Sequence, residues 1–140
     1  MYGIAIKVLN GTGYTFVGDF NGKILYSMDE GSSWTSLPSV PFTLYSVAIG
    51  SNGRLFFGTS SVTVGTVPYT SWTRVSVSGT SVGTVNGVAT LDGGVAIAVT
   101  SLGRGFFTTN GGTSWTNSGK FFYLAGVQST TAGGANTALY

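Results

Sequence analysis

Residues 27–34 read SMDEGSSW and residues 108–115 read TTNGGTSW. In order, the two phrases share a hydroxyl residue, Asp or Asn, Gly, and a closing Ser-Trp. A worn third version, GTVPYTSW over residues 65–72, keeps only Ser71 and Trp72 of the pattern. The three tryptophans, Trp34, Trp72 and Trp115, lie about 40 residues apart, a period that marks a repeat architecture. Each is preceded by Ser and followed by Thr.

Outward from each phrase, the same succession of short apolar runs and glycine turns recurs. The first unit reads YGIAIKVLN, YTFVGDF, KILYSM and SWTSLP, and the second LYSVAIG, RLFFGTS, VTVGTV and SWTRVSV. The third reads VNGVATL, VAIAVTS, GRGFFTT and SWTNS. Asn-Gly, Asp-Gly and other Gly-rich hairpin signals separate the runs. No stretch keeps the apolar spacing of an amphipathic helix over three turns. Four antiparallel strands per period make the blade of a β-propeller. A β-sandwich also spaces its strands closely, but matching tryptophans at blade length favour the propeller. The expected fold is therefore all-β, a single propeller-like domain over 1–140 with units at about 1–42, 43–83, 84–120 and 121–140. The last unit offers only FFYLAGVQ, a TAGG turn and ANTALY, so the chain carries about three and a half blades. A closed ring typically needs at least four. Either further copies of the chain or another protein complete it, or the last unit packs as a reduced blade.

Composition narrows the function classes. Charged residues are 7% of the chain and apolar residues 42%, with 23 glycines. Gly, Ser and Thr have replaced charge, which suits tight turns and hydroxyl-bearing strands. The net charge of +2 is spread over Lys7, Lys23, Arg54, Arg74, Arg104 and Lys120. Without a basic cluster, no nucleic-acid partner is expected. The chain has no Cys and no His, which removes thiol chemistry and the commonest general base. The start MYGIAIKVLNGTGY lacks a basic segment and an unbroken apolar run, so no signal peptide is expected. No run approaches the roughly 18 apolar residues of a membrane span, so neither is membrane insertion.

The repeated phrase resembles the Asp-box, or bacterial neuraminidase repeat, of sialidase-like, photosystem II assembly-factor-like and sortilin-like propellers. Ser27, Asp29, Gly31, Ser33 and Trp34 match its pattern in full. Thr108, Asn110, Gly112, Ser114 and Trp115 match with Asn for Asp. With the worn copy, the resemblance covers about 120 residues of the three-unit period. The residue types have a physical rationale. A short carboxylate or amide accepts the N–H groups of a hairpin tip, and glycine takes positive φ freely. The tryptophan then starts the outer strand and is expected to wedge between sheets. Burying its 150–250 Å² is worth on the order of 4–6 kcal/mol at most. The resemblance places these boxes on the propeller periphery, which makes them structural rather than catalytic.

Sialidases of this resemblance use three arginines, a tyrosine–glutamate pair and an aspartate. Here Arg54, Arg74 and Arg104 fall at unequal places in the repeat, and Glu30, the only glutamate, lies inside a box turn. Asp19 and Asp92 stand beside other turns, so no carboxylate pair of glycosidase type is evident. No metal-ligand cluster and no phosphate loop appear, and no cofactor is expected. Binding is chemically easier for a chain with 14% aromatic residues. Most of them should be buried between blades, with Phe20, Tyr69 and Tyr123 exposed near turns as a possible binding surface. The expected function is a non-catalytic structural or binding module. Its Gly/Ser/Thr-rich, low-charge composition resembles that of virion surface and phage tail proteins. It would dock to protein or cell-surface glycan, on a virion or at an extracellular surface. The alternatives are a cytoplasmic, assembly-factor-like protein-binding propeller and a sialidase-like glycoside hydrolase.

Overall fold

The computed structural model describes residues 3–77, 83–121, 128–132 and 135–139. Its first sheet pairs β1 (Gly3–Leu9), β2 (Thr12–Gly18), β3 (Ile24–Ser27) and β4 (Thr35–Leu37) antiparallel in chain order. The second repeats this with β5 (Ser46–Ile49), β6 (Leu55–Gly58), β7 (Val62–Gly65) and β8 (Thr73–Val75). The third uses β9 (Val85–Thr90), β10 (Ala96–Thr100), β11 (Arg104–Thr108) and β12 (Thr116–Phe121). A two-stranded sheet follows, β13 (Gln128–Ala132) with β14 (Ala135–Leu139). All described elements are strands, and β4, β8 and β12 each begin one residue after a tryptophan, as the repeat implies. One strand differs. Of the run expected over 121–128, Phe121 ends β12 and Gln128 begins β13, whose hydroxyl-rich STT segment pairs with β14, and the residues between lie outside the described ones.

The first strands of the three blades stand side by side, β1 against β5 and β5 against β9, with β13 next to β9. The two-residue period of a strand then gives every blade a forward face and a rear face. In the first blade Ala5, Phe16 and Tyr26 are in register and look forward. They pack on Ile49, Leu55, Phe57 and Trp72 on the rear of the second. In the second, Ala48, Phe56 and Val64 look forward onto Val88, Ala98, Phe106 and Trp115 of the third. Adjacent Phe56 and Phe57 are therefore both fully buried, one in each seam.

The tryptophans do not share one environment, which corrects the expectation that each is wedged between sheets. Trp115 is 4% exposed and meets Phe56 edge-on at 6.2 Å. Trp72 is half-buried, edge-on to Phe57 at 5.2 Å, and donates its Nε1–H to the Pro38 carbonyl at 2.7 Å. Trp34 is 44% exposed. The reason is directional: each tryptophan points back at the preceding blade, and among the described residues nothing precedes the first.

Polar contacts stitch the same seams. Val85 N–H donates to the Thr59 carbonyl at 2.8 Å, and Asn52 N–H to the Asp92 carbonyl at 3.2 Å. The Arg54 guanidinium reaches across to the Gly111 carbonyl. Arg74 lies over the Phe42 ring, 4.7 Å from its centroid, and donates to Ser60 Oγ at 3.1 Å.

Candidate functional site

The two repeated phrases build one device twice. Ser27 Oγ donates to Asp29 Oδ1 at 2.8 Å and accepts from Gly31 N–H at 2.8 Å. Asp29 Oδ1 accepts from Ser33 N–H at 2.8 Å, and Oδ2 from the Ser33 hydroxyl at 2.6 Å. In the other copy Thr108 Oγ1 donates to Asn110 Oδ1 at 2.8 Å and accepts from Gly112 N–H at 3.0 Å. Asn110 Oδ1 accepts from Ser114 N–H at 3.0 Å, while its Nδ2–H donates to Ser114 Oγ at 2.8 Å. Only the direction of the last bond is reversed. The tip then turns through two left-handed residues, Glu30 and Gly31 or Gly111 and Gly112.

The bonds from Ser33 and Ser27 hold the Asp29 carboxyl down at about 2, although it is exposed. Its ordinary value is near 4. The folded-state value is therefore the lower one, so this carboxylate contributes stability fully above about pH 4 and loses it as pH falls toward 2. Asp29→Asn should reproduce the Asn110 geometry, leaving the urea midpoint at pH 7 close to that of wild type. Between pH 4 and 2 the variant's midpoint should fall less steeply; parallel pH profiles would show that the carboxylate is not bound in this way.

The other aspartates are also spent on their own turns. Asp19 Oδ1 accepts from Asn21 and Lys23 N–H at 2.8 and 2.9 Å. Asp92 Oδ1 accepts from Gly94 and Val95 N–H at 2.7 and 2.9 Å, which lowers its pKa. Among the described residues no group of three or more Asp, Glu, His or Cys could hold a metal ion. Arg54 and Arg74 are committed to different seams.

At the seam between the first two blades lies an open groove of about 440 Å³. The β1–β2 turn supplies Asn10, the β5–β6 turn Ser51, Asn52 and Gly53, and the β7–β8 connection Val67, Pro68 and Tyr69. Leu9, Tyr14, Tyr26 and Met28 complete a lining that holds no charged side chain. Beneath it the rings are layered: Phe16 stacks with Tyr14 at 6.2 Å and with Tyr26 at 5.9 Å, and meets Tyr69 edge-on at 5.4 Å. Tyr69 was expected to be exposed and is 5% exposed. It is drawn inward because its hydroxyl donates to the Gly53 carbonyl at 2.6 Å and its ring stacks on Trp72. Burial, reinforced by Tyr14 and Tyr26, pushes its phenol up to about 12, so it stays a neutral donor. Phe20 is 48% exposed, as expected, but is not part of the groove. Tyr123 lies outside the described residues. At the seam between the second and third blades a smaller hollow of about 310 Å³ has no aromatic lining, and Arg54 lies along it.

Sequence reasoning passed over this groove, yet a signal was present in the worn copy. There Gly65 stands where Ser27 and Thr108 stand in the intact copies, and Val67 where Asp29 stands. A Cβ on Gly65 would fall 2.1 Å from a Trp72 ring carbon, so the clamp hydroxyl has no room. The turn is held instead by Tyr69 N–H on the Thr66 carbonyl at 2.7 Å. Val67, freed from clamping, is 63% exposed at the groove. Ser71 is exposed and Trp72 serves the first seam.

No family model and no curated protein matches this sequence. Solved structures do match by shape. A YCF48 protein bound to a D1 peptide superposes with a TM-score of 0.65 at 18% identity, covering 74% of this chain and 35% of its own. YCF48 from Cyanidioschyzon merolae gives 0.63 at 21% identity, covering 81% and 35%. The GH74 enzyme of Niastella koreensis gives 0.64 at 18% identity, covering 86% and 24%. This chain thus spans about a quarter to a third of the length of these structures. At such identities the likeness is one of fold: the chain is a partial β-propeller of four-stranded antiparallel blades.

Proposed function

We propose that this chain is a non-catalytic binding module that seats an uncharged, apolar-rich segment of a protein partner in the groove between the first two blades. The observation that carries this reading is the lining: exposed Met28 and Val67 with Leu9 and Pro68, amides at Asn10 and Asn52, and no acid or base. Apolar walls with a few amide donors and acceptors suit a peptide, whose side chains fill the groove while its backbone is hydrogen-bonded. The peptide-bound YCF48 structure supports the choice as a matter of shape alone. On this reading the Asp-box resemblance describes the turn clamps, and their acids take no part in recognition.

A glycan is the second reading, favoured by the number of tyrosines. Against it, Tyr14 and Tyr26 each spend a ring face on Phe16, and Tyr69 spends one on Trp72. Little ring surface is left for a sugar. A virion setting rests on composition, and the protein-binding role does not depend on it.

The test is binding to an array of uncharged, apolar-rich peptides, followed by titration of the strongest. Val67→Asp should weaken binding at least tenfold by placing a charge in the groove, while Asp29→Asn leaves it unchanged. Loss of binding in the folded Asp29→Asn protein would overturn the assignment, and binding to glycans but not peptides would establish the second reading.

A further inference from the structure

The rear face of the first blade is a surface that the fold covers twice and here leaves bare. Ile4, Val17 and Leu25 are in register across β1, β2 and β3. Their counterparts are Val47 and Phe57 in the second blade and Val88, Ala98 and Phe106 in the third. Both counterpart sets are packed under the preceding blade's forward face. In the first blade Ile4 is 52%, Ile6 68%, Val8 65% and Trp34 44% exposed. Together they show on the order of 400–500 Å² of apolar surface, as large as the largest contiguous patch of most monomers. Lys7, the only charged residue of β1, is on the opposite side.

The forward type of surface that covers such a face recurs at the far end of this same chain. Ala89, Ile97 and Phe107 are in register on the third blade, in the pattern of Ala5, Phe16 and Tyr26. Phe107 is 40% exposed, whereas Val64, at the same place on the forward face of the second blade, is 8% exposed in its seam. The β13–β14 hairpin lies on that side, beside β9.

We propose that the rear face of the first blade docks the far end of a second copy of this chain, head to tail, continuing the blade-to-blade seam across the molecular boundary. Repeating one blade step in this way is a heterologous contact that closes when the rotation completes a ring. Two copies supply six four-stranded blades and two two-stranded sheets, within the four to eight blades of closed propellers.

Sedimentation equilibrium from about 1 to 100 µM, the range of ordinary transient interfaces, tests this. The 140-residue wild-type chain should dimerise, and Ile6→Lys should raise the dissociation constant at least tenfold. Because Ile6 is mostly exposed within one chain, the variant should keep the wild-type near-UV circular dichroism. A wild-type monomer throughout the range would overturn the proposal, as would an Ile6→Lys dimer of undiminished affinity. Contact between two rear faces is distinguished by Ile6→Cys, since the chain has no other cysteine. A rapid disulfide between two Cys substitutions at this position would overturn the head-to-tail arrangement, and its absence in a dimer supports it.

Discussion

Trp115→Ala is expected to lower stability by about 3–5 kcal/mol, the range for removing a large buried aromatic. In a domain of this size that is a fall of about 10–20 °C in Tm. Trp34→Ala, the same substitution in the better-matching copy of the same phrase, should cost less than about 1 kcal/mol. The contrast follows from position in the row and not from local sequence. Trp115 closes the seam between the second and third blades against Phe56, Val62 and Val64, with 4% of its surface exposed. Trp34 is likewise flanked by Ser and Thr, but no described blade lies behind it, and it is 44% exposed. Trp34→Ala is best measured in the Ile6→Lys background, so that association does not mask the single-chain effect. Equal losses at the two sites would mean that Trp34 is covered in the folded chain.

Gly22→Ala should be nearly as damaging, above about 3 kcal/mol, for a reason unrelated to apolar burial. Gly22 has a φ of 82° in the β2–β3 turn. The left-handed region costs an alanine about 1 kcal/mol or more over glycine. A Cβ there would also lie 1.9 Å from the Val40 carbonyl oxygen and 2.9 Å from that of Phe42. Both are backbone atoms of the linker between the first two blades, and Val40 N–H donates to the Gly22 carbonyl at 2.8 Å. The linker cannot withdraw without breaking that bond and lifting buried Val40 from the core. Gly11→Ala is the matched control. Gly11 has a φ of 81°, but nothing stands within 4 Å of its Cβ position, so only the conformational cost of about 1 kcal/mol applies. Urea denaturation of the two variants separates strain from collision, and equal values would show that the linker yields.

The blades were legible because both of their signals are local. Hairpin glycines and alternating apolar residues fix strands within about ten residues, and the tryptophan period counts the blades. The clamps were legible in part: Asp29 and Asn110 accept the tip N–H groups of Ser33 and Ser114 as their residue type implies, whereas the Ser27 and Thr108 hydroxyl bonds to them emerge only from the structure. What escaped was set by neighbours far along the chain. Whether a tryptophan is buried depends on the blade behind it, which separates Trp34 from Trp115 despite identical flanks. Tyr69 was read as a turn residue left in water, yet its hydroxyl finds the Gly53 carbonyl in the next turn and its ring finds Phe16 of another blade. The groove was hidden for the same reason, since its walls come from four separate connections. Its one sequence trace is the decay of the middle phrase, where the clamp residues gave way to Val67, Pro68 and Tyr69.

The most direct test of a recognition site that is separate from the clamps is a map of backbone amide chemical shifts during titration with the strongest array peptide. Perturbations should concentrate at Asn10, Tyr14, Tyr26, Asn52 and Val67 and leave Ser33, Gly112 and Ser114 unmoved. Perturbations centred on the clamps at 27–34 and 108–115, with the groove residues silent, would contradict it.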